Sequence, residues 1–155
     1  MLYVGLMIKE GQPRLVEYNV RFGDPECQVL MMRLGAQAFD LMEATARGCL
    51  SEARVNWAQD HALTIVLATK GYPNNYSKGS VINGLDKLSE TSKSMCFHAG
   101  TTKIDTAIIA TGGRVLNVTA RGETLRSARD AAYEMAKEIN WTEGFYRNDI
   151  GWRAL

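Results

Sequence analysis

Hydrophobic and polar residues alternate in the first part of the chain and predict β-strands, because successive side chains of a strand point to opposite faces. Residues 2–9 and 14–22 form two such runs, and the turn sequence EGQP between them predicts a hairpin. In the second run, one apolar and three polar residues share a face: Leu15, Glu17, Asn19 and Arg21. The opposite face is mainly apolar: Val16, Tyr18, Val20 and Phe22. The polar face is either solvated or the lining of a site.

Helices are predicted next, over residues 26–34 and 36–47, with a break at Gly35. Asp24 is the predicted N-cap of the first helix and Pro25 its first helical residue. A short carboxylate satisfies free N–H groups at a helix start, and proline has no N–H to satisfy. The chain is therefore expected to be helix-rich after its hairpin.

Strands dominate the remainder of the chain. They are predicted over residues 61–69, 79–83, 94–98, 106–110 and 114–121. One amphipathic helix is predicted over 124–140 with Thr124 as its N-cap, because apolar residues recur there at helical spacing. The predicted fold class is α+β, and a boundary near residue 58 divides the chain into units 1–58 and 59–155.

The composition is typical of a globular protein with a core. Of 155 residues, 46% are hydrophobic and 23% are charged, and the formal net charge is +1. We therefore expect no nucleic-acid partner and no membrane partner, since neither net charge nor a long apolar stretch favours them. Cys27, Cys49 and Cys96 lack zinc-site spacing and are odd in number, so they are predicted to be reduced thiols of a cytoplasmic protein.

Glu17 and Asn19 are candidate metal ligands. They lie two positions apart on one strand face, and their carboxylate and amide oxygens suit the hard cations Mg²⁺ and Mn²⁺. Magnesium keeps several waters, so two protein ligands suffice for an ion that also binds substrate phosphates. From spacing alone, a solvated pair is the more common explanation.

The residues after this pair add further polar groups. Arg21 shares the face of Glu17 and Asn19, and its guanidinium can pair with a phosphate or a carboxylate. Asp24 can accept a hydrogen bond from an amine or a hydroxyl. Alternatively, Asp24 is only a cap and Glu26 only a first-turn residue that the helix dipole favours.

Candidate chemistry is sparser in the second half. The turn Gly112-Gly113 lets the backbone approach an anion, and Arg114 can contact a phosphate, although an ordinary turn between strands fits equally well. His98 is more typical of a packed, hydrogen-bonded histidine than of a catalyst. Aromatic and arginine residues over 145–153 can stack bases but are more typical of a closing core. The sequence contains no phosphate loop, dinucleotide fingerprint, serine-hydrolase elbow or zinc-protease motif.

Residues 17–28, EYNVRFGDPECQ, resemble the signature of the phosphoribosylamine–glycine ligase family, also called glycinamide ribonucleotide synthetases, within the ATP-grasp superfamily. Further segments resemble the C-terminal half of that family in the same order: Lys70–Pro73, Phe97–Thr101, Gly112–Leu116, Tyr146-Arg147 and Asp149–Ala154. The resemblance covers essentially the whole chain.

The resemblance implies a reaction in de novo purine biosynthesis. ATP, glycine and 5-phosphoribosylamine give glycinamide ribonucleotide, ADP and phosphate through a glycyl phosphate. It implies that Glu17 and Asn19 hold the Mg²⁺ or Mn²⁺ that bridges the nucleotide phosphates. Within this reaction we predict that Arg21 contacts a phosphate or the acyl phosphate and that Asp24 orients an amine. Gly113 and Arg114 are predicted to contact the substrate phosphate.

The resemblance also implies an architecture. The end of an ATP-grasp domain, made of antiparallel strands and helices, would precede a small β-rich C-terminal domain with one long helix. Family members are much longer than this chain, and their N-terminal half holds most of the nucleotide contacts. We therefore expect a C-terminal fragment that is inactive without that half. The alternative is a stand-alone, non-catalytic packing or interaction module derived from the ligase.

Overall fold

The computed structural model describes residues 1–155, which form an α+β fold as the sequence predicts. The strands are β1 (Tyr3–Lys9), β2 (Gln12–Asn19), β3 (His61–Thr69), β4 (Val81–Ile82), β5 (Ser94–His98), β6 (Thr101–Ile104), β7 (Ala107–Ala110), β8 (Arg114–Gly122) and β9 (Gly144–Phe145). The helices are α1 (Glu26–Leu34), α2 (Gln37–Ala46) and α3 (Leu125–Glu138). Short 3₁₀ turns occur at Leu50–Glu52, Leu85–Lys87 and Trp152–Ala154. None of the helices is long and apolar enough to cross a membrane.

The strands form three antiparallel sheets. β1 and β2 pair only with each other, as the predicted hairpin. A four-stranded sheet has the order β5-β8-β3-β9, and a three-stranded sheet has the order β4-β7-β6. β6 was not predicted, because its sequence TTKI is short, polar and mostly exposed. The predicted strand at 79–83 is reduced to the two residues of β4.

The four-stranded sheet lies between α1 and α3. At the end of β8, the Arg121 side chain reaches the carbonyl oxygen of Met32 in α1. The next residue faces the other way, since a Cβ on Gly122 would meet Ser127 and Ala128 of α3. The α3 face carries the main core, to which β3 and β8 contribute fully buried Ile65, Leu116 and Val118 and α3 contributes Ala128 and Ala132.

α3 begins where the sequence predicts. The Thr124 side chain accepts a hydrogen bond from the Ser127 backbone, and the Ser127 hydroxyl accepts one from the Thr124 backbone, so the two residues form a reciprocal cap. The helix ends at Glu138, two residues before the predicted end. Its buried alanines let it approach the sheet closely.

α1 and α2 are separated at Gly35, as predicted, and the irregular segment after α2 returns to them. Arg33 donates to the Ala58 carbonyl oxygen at 2.9 Å, and its guanidinium lies 5.6 Å from the centroid of the Trp57 ring. Gln37 exchanges two hydrogen bonds with the backbone of Asn56. These contacts hold the segment before β3 against both helices.

The tail only partly follows the prediction that it covers core. Tyr146 and Ile150 pack against the core, and the Tyr133 hydroxyl of α3 donates to the Arg147 carbonyl oxygen at 2.7 Å. Trp152, in contrast, is 59% exposed, with the Arg153 guanidinium 5.2 Å from its ring centroid. The prediction that Trp152 belongs to the core is therefore wrong, because the final 3₁₀ turn lies at the surface.

Candidate functional site

A polar cavity of about 390 Å³ lies between the hairpin, the start of α1 and the start of β8. Its lining residues come from both halves of the chain: Tyr3, Glu17, Asn19, Arg21, Gly23, Asp24, Glu26 and Arg114. Five of the six residues that the sequence proposes for a site therefore lie in one cavity. Gly113, the sixth, is adjacent in the chain but does not line it.

A β-bulge sets which hairpin residues face the cavity. Gly5 pairs with Glu17 and Leu6 with Leu15, so Val16 is an extra residue on β2. The predicted face that includes Leu15 is interrupted there, and Leu15 does not line the cavity. Tyr3, which pairs with Asn19, does line it and was missed by the sequence analysis. Only the strand register, which fixes cross-strand neighbours, could have identified it.

Glu17, Asn19 and Glu26 make no side-chain hydrogen bond to the protein, although they share a cavity with two arginines. Arg21 uses only Nη1, which donates to the Phe22 carbonyl oxygen at 2.7 Å. Carboxylate and guanidinium groups that do not satisfy one another remain available to water or to a bound ligand.

Asp24 and Arg114 form the one ion pair of this cavity. Arg114 Nη2 lies 2.8 Å from Asp24 Oδ2, and the two side chains are 38% and 41% exposed. The prediction of Asp24 as an N-cap is wrong. Pro25 occupies the cap position of α1, no side chain caps the helix, and the Asp24 carboxylate turns to the guanidinium instead. Both groups of this pair are ionised, so their hydrogen bond is charge-assisted.

The backbone before Arg114 is fixed by close glycine packing. Gly100 N–H donates to the Arg114 carbonyl oxygen at 3.1 Å, and a Cβ on Gly100 would lie 2.6 Å from that oxygen. Gly113 lies against the ring of Tyr72, which leaves no room for a side chain. Tyr72, Gly100 and Gly113 belong to three separate segments that carry the family resemblance, and these segments therefore meet at this end of the sheet. Close packing against Tyr72 explains why Gly113 is a glycine. Its contact with a phosphate stays a prediction.

His98 and Cys27 both lie outside the cavity lining. His98 is exposed, and its Nδ1 lies 2.9 Å from the Thr101 hydroxyl, as expected for a hydrogen-bonded histidine. Cys27 follows Glu26 in α1, and burial, followed by the negative charge of Asp24, raises the pKa of its thiol. A thiol with a raised pKa stays protonated and is a poor nucleophile.

The cavity offers only part of the ligand set of a magnesium or manganese ion. No group of three or more His, Cys, Asp or Glu side chains is arranged to hold a metal. Glu17 and Asn19 still offer a carboxylate and an amide oxygen without protein partners in a polar cavity. Such a pair suits a cation that takes its remaining ligands from water and from a phosphate.

Comparison with known proteins gives consistent matches. The family described as phosphoribosylglycinamide synthetase, C domain, matches residues 62–153, and the ATP-grasp (A) domain of the same synthetase matches residues 1–27. The phosphoribosylamine–glycine ligase of Brucella melitensis is 54% identical over 155 residues, which are 100% of this chain and 36% of the relative. The chloroplastic phosphoribosylamine–glycine ligase of Arabidopsis thaliana is 49% identical over 160 residues, and the match covers 30% of it.

A solved structure shows the same fold. The crystal structure of phosphoribosylamine–glycine ligase from Thermotoga maritima matches 96% of this chain with a TM-score of 0.79 and 35% identity, and 36% of that structure is covered. The fold and cavity therefore define a C domain joined to the closing segment of an ATP-grasp domain. The chain belongs to the phosphoribosylglycinamide synthetase family. It spans 36% of the length of the Brucella relative.

Proposed function

We propose that this chain is the C-terminal part of a phosphoribosylamine–glycine ligase. The complete enzyme would join glycine to 5-phosphoribosylamine in de novo purine biosynthesis and convert ATP to ADP and phosphate. The observation that supports this proposal most directly is the polar cavity, because residues from both family-matched segments line it together. Arg114 of the C-domain match lies there beside Glu17, Asn19, Arg21 and Asp24 of the ATP-grasp match.

Five polar residues of the cavity have a proposed role. Glu17 and Asn19 would hold Mg²⁺ or Mn²⁺, which neutralises phosphate charge when it is bound. Arg21 leaves two of its guanidinium nitrogens without a protein acceptor and would bind a phosphate or the acyl phosphate. Asp24 would accept a hydrogen bond from the attacking amine with the oxygen that Arg114 does not use. Arg114 would contact the substrate phosphate.

We propose that the N-terminal half of the ligase covers the exposed apolar surface of this chain. Large apolar residues of the hairpin are mostly solvent-exposed, among them Ile8 at 65% and Val20 at 87%. Beside them, Met1, Phe22, Met31 and other apolar residues line a groove of about 300 Å³. Exposed apolar surface of this extent is typical of an interface. The ATP-grasp match covers the hairpin, over residues 1–27, and the chain spans only 36% of the Brucella relative.

The alternative is a non-catalytic packing or interaction module. One observation favours it: residues 61–155 contain a closed core between the sheet and α3 that does not depend on the hairpin. The module alternative predicts that the cavity residues are dispensable. The ligase proposal predicts that they are needed once the N-terminal half is supplied.

A chimeric enzyme tests the two alternatives. The N-terminal part of the Brucella melitensis relative would be joined in register to this chain, and ADP formation that depends on both glycine and 5-phosphoribosylamine would be measured. We expect turnover by the chimera and none by the 155-residue chain alone. A folded chimera without turnover would contradict the ligase proposal, and turnover by the chain alone would contradict its dependence on the N-terminal half.

The proposed location is the cytoplasm. Cys27, Cys49 and Cys96 are all free thiols, and free thiols fit a reducing compartment. The Arabidopsis relative is named as chloroplastic, so the compartment is expected to differ between members of the family.

A further inference from the structure

Arg114 pairs with aspartate in a different way from Arg121 and Arg147. Arg121 donates to Asp60 through both Nε and Nη2, and Arg147 donates to Asp149 in the same two-point manner. Arg114 uses only Nη2 on Asp24. Its Nε and Nη1 have no protein acceptor, and Nη2 carries a second N–H, so the edge of the guanidinium that Asp24 does not occupy keeps two free donors.

The free edge belongs to a side chain whose backbone is held in place. The Arg114 carbonyl oxygen accepts from Gly100, and the preceding Gly113 carbonyl oxygen accepts from the Thr69 backbone at 2.8 Å. The Thr69 side chain binds the Gly112 carbonyl oxygen, also at 2.8 Å. An anchored backbone removes the entropy cost of ordering the segment when its side chain binds a ligand. Arg114 is thus better prepared for a ligand than an arginine on a mobile loop.

We propose that Arg114 holds Asp24 and a phosphate group at the same time, one on each edge of its guanidinium. Arg114 of β8 would then supply one anion-binding group of the cavity and position Asp24 with the same side chain. A planar guanidinium has five N–H donors in a fixed arrangement and can serve two acceptors, whereas a lysine ammonium is a point charge.

Glu17, Asp24 and Glu26 give the cavity three carboxylates against two arginines, so a phosphate must be held by direct hydrogen bonds to the guanidinium groups and not by the net charge of the cavity. Arg21 also keeps free donors in the same cavity, so two guanidinium groups are available to one ligand. The assignment of this phosphate to the sugar-amine substrate rests on the proposed function. The shared use of Arg114 rests only on the geometry of Asp24 and Arg114.

The first experiment measures phosphate binding to the 155-residue chain. Inorganic phosphate is titrated at constant ionic strength, and the Nε–H resonance of Arg114 is followed by NMR. We expect Arg114→Gln to weaken binding about tenfold or more, since it removes charge-assisted hydrogen bonds. Arg126→Gln, at an exposed position on α3 without an ion pair, is the matched control and should bind like the parent. Equal binding by Arg114→Gln and Arg126→Gln would overturn the proposal.

The second measurement tests whether both partners are held together. The carboxyl carbon resonance of Asp24 in Arg114→Gln gives the position of an unpaired Asp24. In the parent chain we expect this resonance to stay away from that position when phosphate saturates the cavity. If it moves there, the anion displaces Asp24 and simultaneous binding is wrong. Arg114→Lys should keep part of the phosphate affinity but show the Asp24 resonance of the unpaired state.

Ligand comparison and the chimera separate this inference from the proposed function. Ribose 5-phosphate should bind in the same Arg114-dependent way as inorganic phosphate, and glycine should not. Arg114-dependent binding of glycine with no binding of phosphate would overturn the phosphate assignment. An active chimera without Arg114-dependent phosphate binding would refute this inference alone. An inactive chimera with such binding would refute only the proposed function.

Discussion

Arg121 and Asp60 form a two-point ion pair in which Nε and Nη2 of the guanidinium lie 2.9–3.0 Å from the carboxylate. Nη1 of the same guanidinium donates to the Met32 carbonyl oxygen at 3.0 Å. The pair is mostly buried, with side chains 21% and 19% exposed. One arginine of β8 therefore holds both the segment before β3 and the end of α1.

Asp60→Asn should lower the free energy of unfolding by about 2 kcal/mol, because it leaves a largely buried guanidinium without its counter-ion. Denaturant unfolding followed by circular dichroism measures the change. Asp86→Asn, at an exposed aspartate without an ion pair, is the matched control and should change stability little. Equal stability of the two variants would mean that the pair contributes no net stabilisation.

Glu17→Gln should reduce the metal-dependent activity of the chimeric ligase by about 100-fold or more, because an amide binds a divalent cation far more weakly than a carboxylate. The measurement is the rate of ADP formation as a function of Mg²⁺ and Mn²⁺ concentration. Glu52→Gln, at an exposed position outside the cavity, is the control. Activity of Glu17→Gln close to that of the control would remove Glu17 from the metal site.

Gly100→Ala should destabilise the protein by about 2 kcal/mol and disturb the position of Arg114. The added methyl group would lie 2.6 Å from the Arg114 carbonyl oxygen and 2.8 Å from the Cα of Gly112, and backbone atoms cannot move away easily. Thermal unfolding measures the loss. Ala99→Ser, at the exposed neighbouring position, adds one atom without this clash. Equal melting temperatures for Gly100→Ala and Ala99→Ser would show that the clash at Gly100 does not destabilise the protein.

The chain alone is expected to self-associate through its hairpin, since both strands have an open edge and exposed apolar side chains. Ile8→Lys should reduce self-association without loss of stability, because Ile8 is already 65% exposed. Sedimentation velocity over a range of concentrations measures the effect. Ile104→Lys, 56% exposed on β6, is the matched control. A purely monomeric parent chain, or an equal effect of both variants, would show that the hairpin is not the contact.

Stability should fall as the pH rises above about 9, in part through Cys96. Burial, followed by the negative charge of Glu90, raises the pKa of this thiol from 9.0 to about 12. Between these values the unfolded chain loses the proton and the folded chain keeps it. Each pH unit therefore lowers the free energy of unfolding by at most about 1.4 kcal/mol. Cys96→Ala should flatten the pH dependence of unfolding over this range.

Cys49→Ala is the control for this pH dependence and should leave the slope unchanged. Thiol labelling at pH 8 gives an independent measurement. Cys96 is only 9% exposed and should react only when the protein unfolds. Rapid labelling of Cys96 in the folded protein would contradict both expectations.

Local sequence signals predicted most of the secondary structure. The apolar run of β3 was predicted with its observed bounds, and the break at Gly35 and the cap at Thr124 were confirmed. These features depend on neighbours within a few residues, so the sequence carries them directly. β6 was missed because a short polar edge strand is stabilised by pairing with β7 and not by its own composition.

The candidate site could be predicted as a set of residues but not as an arrangement. The strand pattern brought Glu17, Asn19 and Arg21 together, and the family resemblance supplied their proposed chemistry. The prediction of Asp24 as an N-cap failed because its partner, Arg114, is 90 residues away in the chain. The roles of these residues stay predictions until the variants are measured.

The cavity has one wall from the hairpin region and another from β8, and this construction links ligand binding to folding. A ligand that touches Glu17 and Arg114 together binds only while the two walls are in place. By thermodynamic linkage, it must stabilise their packing by the same free energy that their packing contributes to its binding. Hydrogen exchange in the hairpin should therefore slow when the cavity is filled, and its rate reports how firmly the hairpin packs against the start of β8.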